Sequence, residues 1–225
     1  MSVEIKMTLN KGLYLKEPQH SKLGRNIIQN SILLIDEFGF EAFTFKKLAK
    51  KIKSTEASIY RYFENKHLLL LFLVNWYWEW VSYLIYFNTI NIKDSRNKLR
   101  IIIHSFVSAS KDNPSVNYVN ESKLHNIVIA EGGKAYHTKD VDAENLKGFF
   151  SSYQNLANKV SKVISEVSPS FEYPFALATN LFEMSNNQIY FAKHLPRLTD
   201  ISVNEDDVNE AEKMLNYFVD KLLSH

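Results

Sequence analysis

Residues 44–66, TFKKLAKKIKSTEASIYRYFENK, crowd ammonium, guanidinium and phenol groups into one short stretch. Such groups hold phosphates, so their placement decides what the stretch can do. Leu48, Ala49 and Ile52 repeat at helical spacing, with Lys46, Lys47, Lys50, Lys51 and Lys53 on the other side. Thr44 is a natural N-cap for this helix. Thr55 can cap a second helix by accepting from the amide of Ser58, with Ile59 and Phe63 as its i, i+4 core anchors. Glu56, Ala57, Ser58, Tyr60, Arg61 and Tyr62 then face outward or sideways, on an element narrow enough at its start to enter a groove of duplex DNA. Glu56, Ala57 and Ser58 fall nearest base edges, where Glu56 could accept from cytosine N4. Thr44, Lys46, Tyr60, Arg61, Tyr62 and Lys66 are assigned to phosphates, and Arg25, at the start of the preceding helix, could touch the same backbone. The plainer alternative is an amphipathic hairpin with a solvated lysine face.

Thr44, Leu48–Ala49, Thr55, Ser58–Ile59–Tyr60, Tyr62–Phe63, Lys66 and Leu69 together resemble the helix-turn-helix signature of the tetracycline-repressor (TetR) family. The resemblance covers about the first third of the chain; the remainder is similar only in length and helical character. It implies a three-helix DNA-binding domain followed by a larger helical bundle for ligand binding and dimerisation. It further implies a ligand-responsive transcriptional regulator, a repressor by preference. Such a protein would be a homodimer through its last two helices on a two-fold symmetric operator, released by a small-molecule effector. Two departures stand out. Lys53 and Ser54 occupy the turn where the family usually has Gly and an apolar residue; a left-handed conformation at Lys53, if the turn requires one, costs about 1 kcal/mol. Glu56 is an acid where many relatives are neutral or basic, which bears on base preference.

The bounds agree with a DNA partner without demanding one. The 225 residues carry a net charge of only +2, but residues 1–66 hold 12 Lys/Arg against 7 Asp/Glu and the remainder is mildly acidic. Zero cysteines exclude disulfides and thiolate metal sites. The first 22 residues have no apolar core of a secretory signal, so a cytoplasmic location is expected. Residues 68–87 are apolar enough to suggest a membrane span, but Asn75, Glu79 and Ser82 interrupt them, and they read as a buried bundle helix.

The elements that must position these groups are all helical. Residues 1–18 read as a flexible lead-in, 19–66 as the DNA-binding domain and 67–225 as the ligand-binding and dimerisation domain. Helices are expected over 21–38, stopped by Gly39 and with Phe38 on the core side, and over 66–87, 94–111, 123–130, 141–167, 175–194 and 204–223. A break is expected at Asn113–Pro114, and a loop after Gly132–Gly133 holding Tyr136 and His137. Almost no segment alternates with period two, so the class is all-α.

The seven histidines show no metal-binding spacing and no paired carboxylates stand in a catalytic frame, so no metal, cofactor or enzymatic activity is expected. Trp76, Trp80, Tyr83, Tyr136 and Tyr190, with His104, Glu183 and Asn187 as polar groups, could line an effector cavity. The alternative for each is a satisfied core or a solvent edge.

Overall fold

The computed structural model describes residues 5–109, 111–113, 116–203 and 209–224, which form eleven α-helices and, among the described residues, no strand. The chain divides into two units: Met1–Trp80 with Asp112–Tyr153, and Val81–Lys111 with Gln154–His225.

The first unit begins with an arm that is not the flexible lead-in expected for residues 1–18. Met7, Leu9 and Leu13 are buried, and residues 1–4 lie outside the described residues. Gln19, 1% exposed, anchors the arm: its amide nitrogen donates to the Met7 carbonyl at 2.7 Å. Its Oε1 accepts from the Met7 amide, Trp76 Nε1 and the Tyr118 hydroxyl at 3.0, 3.3 and 3.0 Å. The apolar residues of the lead-in have a core to enter, and a buried amide that satisfies its neighbours holds them there.

Helix α1 (Lys22–Ala42) starts at Ser21, whose Oγ accepts from the Gly24 amide at 3.0 Å. Ile27, Ile28, Ile32, Leu34 and Ile35 form its buried face. Gly39, the expected stop, breaks the helix with φ 77° and ψ 160°, after which Phe40–Ala42 add one more turn. Phe38 is 52% exposed rather than in the core, because the break hands the buried position to Phe40. The freed Phe40 amide donates to Glu131 Oε1 at 2.9 Å.

Helices α2 (Phe45–Lys51) and α3 (Glu56–Tyr60) are capped as expected: Thr44 Oγ1 accepts from the Lys47 amide and Thr55 Oγ1 from the Ser58 amide, both at 3.2 Å. Between them the chain closes by a Schellman motif. The Ser54 amide reaches the Ala49 carbonyl at 2.9 Å and the Lys53 amide the Lys50 carbonyl at 3.3 Å. The motif needs a left-handed residue, and Lys53 supplies it at φ 52°. Phe43, Phe45, Leu48, Ile59 and Phe63 are buried beneath the two helices.

Helix α4 (Lys66–Thr89) is capped by Asn65 Oδ1, which accepts from the Leu68 amide at 2.9 Å. It runs two residues past the expected end. By length and composition it could cross a membrane, yet 78% of its apolar window is buried in the protein. Helix α6 (Glu121–Glu131) begins at Asn120. The expected loop after Gly132 is a short helix, α7 (Gly133–Tyr136). The expected single helix over 141–167 is two, α8 (Val141–Leu146) and α9 (Ser151–Val167), divided where Gly148 takes φ 73°. Asn10 Nδ2 donates to the Lys147 and Gly148 carbonyls at 2.9 and 3.0 Å, satisfying the frayed end of α8.

In the second unit α5 (Ser95–Ser108), α10 (Pro174–His194) and α11 (Asn209–Leu223) pack on one another. Asp94 caps α5 through the Asn97 amide at 2.7 Å, and Phe106 meets Phe182 with ring centroids 4.1 Å apart. Ala211, Leu215, Val219 and Leu223 of α11 are buried in this unit, while Phe218 and Leu222 of the same helix are 39% and 49% exposed. The expected start of this helix at 204–208, including Val208, lies outside the described residues, as does Pro114 of the expected break.

Two stability predictions follow from these local arrangements. Lys53→Gly removes the left-handed penalty, and should raise unfolding stability by about 1 kcal/mol in urea titration. Glu121 is 1% exposed, with Oε2 accepting from the Asn113 amide at 3.2 Å and no partner for Oε1. Burial, reinforced by the Asp112 charge and opposed by backbone amides, pushes its carboxyl up to about 7. The folded state therefore binds more protons than the unfolded chain between the ordinary carboxylate range and about 7, so stability falls as pH rises through that window. Glu121→Gln should flatten the decline of thermal midpoint between about pH 5 and 8, relative to the parent.

Candidate nucleic-acid interface

The outward side of the first unit carries the groups the sequence singled out at α2 and α3. Thr44, Lys46, Thr55, Glu56, Ala57 and Arg61 are exposed, and Ser58 is half-buried. Tyr60 is 49% exposed, its ring edge-on to Phe45 at 5.0 Å, so a buried aromatic props the phenol at the surface. Lys50, Lys51 and Lys53, not assigned to the site from sequence, are exposed as well. Their signal was the lysine run itself, in which nothing local separates one cation from another.

Thr55 Oγ1 also lies 2.9 Å from Ser58 Oγ, so the cap fixes a side chain assigned to base edges as well as a backbone amide. With Lys53 turning the chain before it and Ile59 buried beneath it, α3 is presented on short, stiff connections.

Three assigned residues are placed differently. Tyr62 is 3% exposed and its hydroxyl lies 2.8 Å from Ser21 Oγ, so it clamps the end of α3 to the cap of α1 instead of facing outward. Lys66 is half-buried; its Nζ donates to the Phe40 and Glu41 carbonyls at 3.1 and 3.3 Å and lies 4.7 Å over the Phe40 ring. It satisfies the carbonyls left by the α1 break, a use of the ammonium that sequence spacing does not reveal. Arg25 is half-buried with Nη1 donating to the Gln19 carbonyl at 2.9 Å. Lys47 is likewise engaged, donating to the Ala42 carbonyl at 2.7 Å.

The eight cavity candidates are divided between the two units. Trp76, Trp80 and Tyr136 belong to the first unit and Tyr83, His104, Glu183, Asn187 and Tyr190 to the second. Trp76 and Trp80 are sealed in the core, stacked 6.1 Å apart, and Tyr136 accepts from Trp78 Nε1 at 2.8 Å. His104 is exposed and lies 2.8 Å from Glu212. Glu183 and Asn187 are exposed because α10 turns Leu181, Phe182, Ser185, Asn186 and Ile189 inward. Tyr83 is exposed beside Phe87, and Tyr190 is half-buried against His194 at 4.6 Å. A cavity of about 750 Å³ does exist in the first unit, at the start of α4 and around α8, and none of the eight lines it.

Residues 27–71 match the family model of bacterial regulatory proteins, tetR family. No relative is found among curated proteins. Solved structures share the fold at low identity. AibR in complex with isovaleryl coenzyme A and operator DNA is 16% identical, with TM-score 0.59 over 88% of this chain and 98% of its own. SCO4454, a TetR-family transcriptional regulator from Streptomyces coelicolor, is 13% identical, with TM-score 0.57 over 88% and 92%. The superantigen PfiT is 14% identical, with TM-score 0.61 over 93% and 99%. In the sequence of its helix-turn-helix segment, and in its all-α fold over most of its length, this chain is similar to the TetR family of transcriptional regulators.

Proposed function

We propose that the chain is a TetR-like repressor that binds a two-fold symmetric operator as a homodimer and lets go when a small molecule occupies its larger domain. The observation that carries this reading is the surface of α3: Glu56, Ala57 and Arg61 exposed and Tyr60 half-exposed beside a row of exposed lysines, on a helix capped at one end and clamped at the other. Fold alone could not carry it, since a superantigen shares the architecture. By function we divide the chain at residue 66, with residues 19–66 as the reading head and 67–225 as the domain for ligand and partner. The protein acts in the cytoplasm, off the membrane, and performs no catalytic step. The effector acts by binding more tightly to the head spacing that does not fit the operator.

Dimerisation is assigned to α10 and α11, supported by exposed Tyr217, Phe218 and Leu222 on α11 and Phe175 on α10. Sedimentation should give a dimer for the parent and a monomer for Phe218→Glu combined with Leu222→Lys; a monomeric parent would overturn the assignment. Selection from a random duplex pool should return a two-fold symmetric consensus. Lys46→Ala with Arg61→Ala should weaken binding to all duplexes and flatten the logarithmic salt dependence by about 1.8 per head. Tyr62→Phe and Lys66→Ala should lower thermal stability while leaving that slope in place. Indifference of the protein to every duplex at low ionic strength would sink the reading and favour a helical ligand carrier or protein-interaction module.

A further inference from the structure

The 750 Å³ cavity is walled by the first turn of α4, by α8 and its flanks, and by the arm at Asn10 and Gly12. Most of its polar wall is already engaged. Asn10 is spent on the end of α8 and Asn65 on the start of α4. His67 Nε2 lies 2.7 Å from Glu144 Oε1, and Lys147 Nζ stands 5.8 Å over the Phe149 ring. What remains on the wall accepts hydrogen bonds or carries negative charge. The Glu144 side chain is only 9% exposed, and its second oxygen, Oε2, has no hydrogen-bond partner. Thr138 Oγ1 is buried without a partner too. Glu64 and Asp140 add exposed carboxylates, so three acids face one lysine, with Leu68 and Phe149 as apolar surface beside them.

We propose that this cavity binds a small organic cation bearing N–H donors, an amine or guanidine, with Glu144 as its principal partner and Thr138 as a second. A carboxylate oxygen and a hydroxyl held out of water without partners are costly, and an N–H cation supplies both the charge and the donors that the wall lacks. A carboxylate or phosphate ligand would face like charge from three acids. Glu144 reaches His67, in the first turn of α4, so occupancy bears on the start of that helix. In naming the chemical class of the effector, this inference rests on the regulator reading; as a binding site it stands by itself.

The test is calorimetric binding of agmatine, spermidine and benzylamine to the DNA-free protein, with butane-1,4-diol and glutarate as neutral and anionic counterparts. At least one amine should bind at one site per chain and the two counterparts should not. Glu144→Gln should weaken that amine at least tenfold, and Thr138→Val about threefold. If Glu144→Gln fails to fold by circular dichroism, Glu64→Gln with Asp140→Asn on the exposed rim should weaken it at least threefold. Absence of binding by all three amines, equal binding of the diol, or full affinity in the folded Glu144→Gln protein overturns the proposal. Because no DNA is present, failure here leaves operator binding to be judged separately.

Discussion

The first unit depends on one buried amide. Gln19 ties the arm to α4 and to the segment before α6 by accepting from a backbone amide, an indole and a phenol, and its own carbonyl takes Arg25 of α1. Two residues later Ser21 both caps α1 and meets the Tyr62 hydroxyl. The orientation of α3 is therefore set from outside the helix-turn-helix. Leaving such donors buried and unpaired costs about 1–3 kcal/mol each, which makes the junction an all-or-none arrangement instead of an adjustable one. Gly24 belongs to the same construction: a Cβ there would stand 2.1 Å from the Pro18 carbonyl oxygen, so only glycine lets the arm lie this close.

A second joint holds the far end of α1. Gly39 interrupts the helix, Glu131 from α6 accepts the freed Phe40 amide, and Lys66 answers the Phe40 and Glu41 carbonyls. Lys123 of α6 adds a 2.5 Å ion pair to Asp36 of α1. Charges from two other helices thus stand in for backbone bonds that a continuous helix would have made. The exposed α2 and α3 are framed by these two joints, one at either end of α1.

What could be read from the sequence was local. Thr44 and Thr55 cap their helices as spacing of a few residues demands, and Lys53 takes the left-handed turn between them. Tyr62 and Lys66 read as phosphate groups in sequence because a phenol or an ammonium serves a phosphate and a neighbouring hydroxyl or carbonyl equally well; only tertiary placement shows their partners here. The arm reads as mobile from sequence because its partners, Trp76 and Tyr118, are distant along the chain. In the second unit the difference is one of helix register. Glu183 and Asn187 lie one or two positions from Ser185 and Asn186, which α10 buries, and the difference between lining and surface is a rotation of 100–200°. The division of α8 from α9 turned on a single left-handed glycine in an otherwise helical pattern.

The bond from Asn10 to the end of α8 spans 137 residues. The arm is synthesised well before its partners: Tyr118 follows Gln19 by 99 residues, and the carbonyls that receive Asn10 come later still. The arm must wait, its leucines without a home, until those partners arrive. Helices α2 and α3 gain the last of their supports only after those later segments are made.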